Sequence, residues 1–196
     1  MSRSIATKIE QWFQHADGDD DFVCAEPRAP YAVLTPGGAR ARVIFTTKPS
    51  TLGYALAASD NNQHIGLIGR YGLPSGRDLG WISALIGARK LLFLGDLDPP
   101  DLMIFAWLRS RLRPAKVRFL GISDELLKRI EARPTERNTI VLTPTELAAR
   151  EVLPSVLPDL QQLIGPTCVT LLASGRKLEL EATLGALQKS PEVFSS

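Results

Sequence analysis

Apolar residues recur along the chain at two different spacings, which predict where helices and strands lie. The three- and four-residue spacing of a helix face comes first, in Ile5, Ile9, Trp12 and Phe13. Short apolar runs typical of buried strands then occupy residues 43–46, 65–68, 91–94 and 117–120. Helical spacing follows each of these runs, in segments 49–56, 79–86, 100–112 and 123–130. This order predicts an α/β fold with a mainly parallel sheet and an N-terminal helix.

The last third of the chain departs from this alternation. Residues 140–142 resemble a short strand, and Thr143-Pro144-Thr145-Glu146 combines a capping box with proline at the first helical position. Helical spacing then continues to Ile164, where Gly165-Pro166 predicts its end. Residues 177–182 fit a strand or a helix equally well on spacing alone. We therefore expect a helical extension after the sheet.

The length and composition are those of one globular domain with modest extensions. Hydrophobic residues make up 44% of the 196 residues, enough for a sizeable core. We expect an N-terminal helix and connector over residues 1–41, the α/β domain with its helical extension over 42–184, and a tail over 185–196. The connector is expected to be extended over 24–41, which is rich in Pro, Gly and Ala.

Several classes of protein are disfavoured by the composition. No apolar run approaches the roughly 20 residues of a membrane span, and the polar residues 1–10 predict no signal peptide. Cys24 and Cys168 lack metal-ligand spacing and indicate a reducing, cytoplasmic setting. The net charge of +2 gives no argument for strong binding to nucleic acid by the whole surface.

Two carboxylates follow the third apolar run directly. Leu94 and Gly95 lead into Asp96, Leu97 and Asp98. Residues two apart in an extended chain share a face, so both carboxylates should project together beyond the carboxyl end of a buried strand. Open α/β sheets place their ligands at that end, and paired carboxylates there suit a hard cation such as Mg²⁺.

The same Asp-x-Asp pattern has other interpretations. It is equally typical of a loop in which an aspartate caps the helix that starts near Pro99. A phosphohydrolase with Asp96 as nucleophile is disfavoured, because that nucleophile usually follows the first strand of its fold and Asp96 follows the third. Asp101 either supplies a third carboxylate or interacts with the dipole of the helix in its first turn.

The order of these segments resembles the Toprim domain of the topoisomerase VI A subunit. The meiotic double-strand-break transesterase and the nuclease subunit of Wadjet plasmid defence share that domain type. The resemblance spans residues 42–184 and is carried by segments 42–48, 65–75, 92–102 and 117–124, with a closing match at 175–182. It implies a metal site at Asp96 and Asp98, DNA processing as the activity, and a helix rather than a strand for the closing segment.

The chain also departs from the pattern of that family. Where the family ends its first strand with a glutamate that completes the metal site, this sequence has Thr47 beside Lys48. A hydroxyl is a poor replacement for a carboxylate, and a nearby ammonium competes with the metal. The resemblance therefore implies an incomplete site at Asp96 and Asp98, with weak Mg²⁺ binding or none, and an inactive catalytic position at Thr47. Asp101 stands where the family usually has a glycine, and it is the candidate for a third carboxylate.

The family resemblance also bears on partners. Its topoisomerases attack DNA with a tyrosine on a separate winged-helix domain, for which residues 1–41 are too few, so we expect a protein partner to carry the nucleophile. A basic cluster suited to phosphate contact follows the metal-motif helix, at Arg109, Arg111, Arg113, Lys116 and Arg118. No membrane partner is expected, and a homodimer is compatible with the sequence.

The leading hypothesis is a Toprim-like protein that serves as a binding or assembly component of a DNA-processing or defence system, without activity of its own. The alternative is an active Mg²⁺-dependent nuclease or topoisomerase subunit that needs a partner. The phosphohydrolase is the second alternative.

Overall fold

The computed structural model describes residues 4–16, 31–35, 42–49, 64–112 and 116–185. Cys24, Arg113 and nearly all of the helix predicted over 49–56 lie outside these residues. The described elements are α1 (Ile5–His15), β1 (Ala32–Leu34), β2 (Arg42–Thr46), β3 (Ile65–Gly69), α2 (Leu79–Ile86), β4 (Leu91–Leu94), α3 (Pro99–Arg111), β5 (Val117–Phe119), α4 (Asp124–Arg129), β6 (Ile140–Val141), α5 (Pro144–Val156), α6 (Leu160–Ile164), α7 (Pro166–Ala173), β7 (Arg176–Lys177) and α8 (Leu180–Gly185). None of the described helices combines the length and apolar character of a membrane span.

The chain divides into two compact units, of which the first contains residues 1–94 and 103–119. Its five-stranded sheet has the order β1-β3-β2-β4-β5, and β2, β3, β4 and β5 run parallel. The predicted α/β class with a mainly parallel sheet is confirmed. β4 lies inside the sheet between β2 and β5, and its apolar run is largely buried, as parallel strands require.

Aromatic packing forms the core of this first unit. The ring of Phe93 on β4 stacks on Phe45 of β2 at 5.9 Å and on Phe119 of β5 at 6.1 Å. Trp107 of α3 is fully buried, and its Nε1 donates a hydrogen bond to Glu10 of α1 at 2.8 Å. The predicted N-terminal helix is therefore confirmed and is tied to the core.

One strand of the sheet was not predicted. β1 lies within the segment expected to be a connector, and pairs antiparallel with β3, with Ala32 opposite Gly69. Its three residues are all exposed, so they show no alternation of buried and exposed positions that spacing could detect. This edge strand corrects the prediction of an extended connector over 24–41 for the part that the structure describes.

The second unit contains residues 95–102 and 120–196 and is mainly helical where it is described. The predicted caps are confirmed: Ser123 Oγ accepts a hydrogen bond from Leu126 N, and Thr143 and Glu146 form the capping box of α5. β6 pairs antiparallel with β7, with Ile140 opposite Lys177 and Val141 opposite Arg176.

One further prediction for this unit is confirmed, and another was wrong in part. Gly165-Pro166 ends the helix as predicted: α6 ends at Ile164, Gly165 adopts a φ of 88°, and Pro166 is the first residue of a new helix, α7. The closing segment is not helical throughout, since Arg176 and Lys177 form β7 and α8 begins only at Leu180.

Candidate metal centre

Three carboxylates come together in the second unit. Asp96, Asp98 and Asp101 are 1%, 8% and 6% exposed, and each offers an oxygen within 4.8 Å of the oxygens offered by the other two. Asp96 and Asp98 flank Leu97, whose backbone pairs antiparallel with that of Leu178. The prediction that these two side chains converge after β4 is confirmed.

Backbone hydrogen bonds orient the three side chains. Asp96 Oδ1 accepts from Leu180 N at 2.6 Å, and Asp101 Oδ2 accepts from Asp96 N at 2.7 Å. Asp98 Oδ1 accepts from Asp101 N at 2.7 Å, which is the geometry of a helix N-cap three residues before its partner. The capping interpretation of Asp98 and the clustering of the carboxylates are therefore both correct.

Asp101 has two roles that the sequence presented as alternatives. It lies in the first turn of α3, where a carboxylate interacts favourably with the helix dipole. It also supplies the third carboxylate of the cluster. Because one residue does both, the second unit by itself supplies three buried carboxylates.

A buried ion pair lies in the same unit, and sequence analysis missed it as part of the site. Lys177 Nζ donates to Glu146 Oε1 at 2.6 Å, and Glu146 Oε2 accepts from Thr143 N at 2.7 Å. Only 15% of the lysine side chain and 5% of the glutamate side chain are exposed. In the sequence, the capping box already accounts for a glutamate at position 146. No neighbouring residue indicated that the other oxygen of Glu146 accepts a hydrogen bond from Lys177.

Negative charge is in excess among the three aspartates and the Glu146–Lys177 ion pair. Burial raises the pKa of Asp98 well above its ordinary value, and the charges of Asp101 and Asp96 raise it further. Burial lowers the pKa of Lys177, but its hydrogen bond to Glu146 and the charges of Glu146 and Asp98 more than offset this and raise the pKa overall. Lys177 is therefore an ammonium within electrostatic range of Asp98.

The donor set fits a hard cation. Carboxylate oxygens are the preferred ligands of Mg²⁺ and Ca²⁺, and a bound cation would remove the mutual repulsion that raises the pKa of Asp98. Two ligands on opposite sides of a Mg²⁺ ion are about 4.2 Å apart. That is the widest separation of two ligands of one ion, and the three carboxylate oxygens lie within a slightly larger 4.8 Å of one another, so Asp96, Asp98 and Asp101 could hold one metal ion.

Thr47 lies in the first unit. It is buried directly after β2, and Lys48 N donates to Thr46 Oγ1 at 3.1 Å in the same turn. The family-based assignment of Thr47 to an inactive catalytic position stays a prediction.

The predicted basic cluster is partly engaged within the protein. Arg111 forms an ion pair with Glu10 at 2.6 Å, and Lys116 Nζ donates to the carbonyl oxygen of Gly87 at 2.7 Å. The guanidinium of Arg109 lies 5.3 Å from the centre of the Phe105 ring, a cation–π contact. Arg118 is exposed on the edge strand β5. Contact of this cluster with DNA stays a prediction.

Comparison with protein-family models and with curated protein sequences gives no match for this chain.

Proposed function

We propose that this protein is a Mg²⁺-binding, Toprim-like component of a DNA-processing or defence system. The observation that carries the proposal is the convergence of Asp96, Asp98 and Asp101, three buried carboxylates directly after an internal parallel strand. The ordered resemblance of residues 42–124 to the Toprim domain supports DNA processing as the context. A bound Mg²⁺ supplies a Lewis acid that neutralises charge on a phosphate group.

Strand cleavage by this component depends on a protein partner. The family position of the glutamate carries Thr47 here, so the site lacks a carboxylate for proton transfer at that position. The partner supplies the nucleophile, and this chain binds and positions the metal. Purified alone and incubated with plasmid DNA in Mg²⁺ or Mn²⁺, the protein should neither nick nor relax it; cleavage that disappears in Asp98→Ala would contradict partner dependence.

The cation affinity should be low. Mg²⁺ gives up its hydration water reluctantly, and the three carboxylates are almost completely buried, so a dissociation constant on the order of 1 mM is expected. The ammonium of Lys177 acts on one of these carboxylates, that of Asp98, and weakens binding further.

Titration with Mn²⁺ followed by electron paramagnetic resonance tests the site, because the signal of free Mn²⁺ decreases as the ion binds. Competition with Mg²⁺ then gives its affinity. Asp98→Asn should lose binding, whereas Glu125→Gln should retain it because that carboxylate is 83% exposed on α4 of the same unit. Equal binding by the wild type and Asp98→Asn would refute the proposed site.

A further inference from the structure

Backbone pairing with two other segments holds Lys177 and the residue that follows it. Lys177 is opposite Ile140 in the β6–β7 pair, and the adjacent Leu178 is opposite Leu97. Continued by one residue, this antiparallel register aligns Lys177 with Asp98, and the charge of Asp98 acts on the ammonium of Lys177. The ammonium of Lys177 therefore lies within electrostatic range of Asp98.

The side chain of Lys177 is nevertheless directed to Glu146. Their 2.6 Å contact is partly buried, with 15% of the lysine side chain and 5% of the glutamate side chain exposed, and the second oxygen of Glu146 is held by Thr143 N at the start of α5. Glu146 is thus a fixed partner, whereas the lysine has a long, flexible stem.

We propose that Glu146 is a positioning residue that keeps the ammonium of Lys177 off Asp98, so that this ion pair sets the cation affinity of the site. The inference rests on the proposed function. Without the carboxylate of Glu146, the buried ammonium has lost its partner, and leaving a buried charge unpaired is strongly unfavourable. The carboxylate aligned with Lys177 in this register is that of Asp98. The ammonium of Lys177 then pairs with Asp98 and takes the place of a metal ion.

Two variants separate this role from a structural one. Glu146→Gln keeps an oxygen for Thr143 N, because glutamine also serves in a capping box, but removes the charge that holds Lys177. Lys177→Met keeps most of the apolar stem and removes the ammonium. Glu151→Gln is the matched control, since Glu151 lies on the same helix in an exposed ion pair with Arg150.

The affinity for Mn²⁺ is measured by paramagnetic resonance in the wild type, both single variants, the double variant and the control. Glu146→Gln should weaken binding about tenfold, Lys177→Met should strengthen it severalfold, and the double variant should bind at least as tightly as the wild type. The recovery in the double variant is decisive, because a merely structural loss at position 146 would not be repaired by a second substitution. Glu151→Gln should bind like the wild type.

The other outcomes overturn the inference. If the wild type binds and the double variant is as weak as Glu146→Gln, the positioning role is refuted while the metal site stands. If the wild type does not bind, both proposals fail. If circular dichroism shows that Glu146→Gln does not fold, Lys177→Met decides, and affinity no higher than that of the wild type refutes the role.

Discussion

Leu97 and Leu178 exchange two backbone hydrogen bonds, one from Leu97 N to Leu178 O at 2.9 Å and one from Leu178 N to Leu97 O at 3.4 Å. Both side chains are buried. Because Leu97 separates Asp96 from Asp98, this pairing fixes the backbone between the two aspartates. The candidate metal centre therefore depends on residues that lie far along the chain.

Truncation of Leu178 should destabilise the second unit. Leu178→Ala removes a side chain that is 1% exposed and leaves a cavity, so the free energy of unfolding should fall by about 2–5 kcal/mol. Val141→Ala, on the neighbouring strand but 63% exposed, should change it by less than about 0.5 kcal/mol. Urea unfolding of both variants measures the difference, and equal losses would contradict the burial assigned to Leu178.

Neutralising Asp98 should stabilise the metal-free protein. The raised pKa means that the folded state holds the proton of Asp98 more tightly than the unfolded state, so the contribution of this group is most favourable at low pH. It declines as the pH rises above about 4, the ordinary range of an aspartate. Asp98→Asn should therefore increase the free energy of unfolding at pH 8 by about 1 kcal/mol, because it removes a buried negative charge and keeps an oxygen that can accept from Asp101 N.

Asp124 provides the opposite control for this pH dependence. Burial raises its pKa, but hydrogen bonds donated by Thr167 and Cys168 at the start of α7 outweigh burial and lower it overall. Its contribution is present above about pH 4 and is lost as the pH falls through the lowered pKa. Asp124→Asn should destabilise the protein at pH 8, measured by urea unfolding in a chelator. A destabilising effect of Asp98→Asn under the same conditions would contradict the charge repulsion inferred for the site.

A side chain at position 165 should be poorly tolerated. Gly165 has a φ of 88°, and a Cβ there would lie 2.5 Å from Asp124 Cγ, so Gly165→Ala combines backbone strain with a clash. Gly175 has a similar φ of 76°, but its added Cβ would meet only Leu147 Cδ2 at 3.8 Å. Thermal unfolding should show a loss about 1–3 kcal/mol larger for Gly165→Ala than for Gly175→Ala. Equal losses would show that the close approach to Asp124 has no energetic consequence.

DNA binding by the isolated protein should be weak, nonspecific and sensitive to salt, because contacts to phosphate release counterions. Arg118→Ala should weaken binding more than Arg111→Ala, since Arg111 already pairs with Glu10. Gel-shift titrations at low and physiological salt measure both effects. Binding unaffected by salt would rule out phosphate contact as its basis, and no shift at low salt would indicate a protein as the binding target.

Local interactions explain what the sequence determined by itself. The apolar runs of β2, β3, β4 and β5 are long enough for the sequence to predict buried strands. The caps at Ser123 and Thr143 are made by residues three apart. The convergence of Asp96 and Asp98 follows from the two-residue repeat of an extended chain. These features depend only on near neighbours, so the fold class and the centre of the candidate site were predictable.

Only the tertiary structure decided how distant segments complete that site. The backbone of Leu180 donates a hydrogen bond to Asp96, and the charges of Glu146 and Lys177 act on Asp98. The pairing of Leu97 with Leu178 and of β6 with β7 joins these distant segments. Strands of two residues are too short for a periodic pattern, and an ion pair between residues far apart in sequence leaves no local signal. The partner of Lys177 and the charge balance of the site were therefore set by long-range packing.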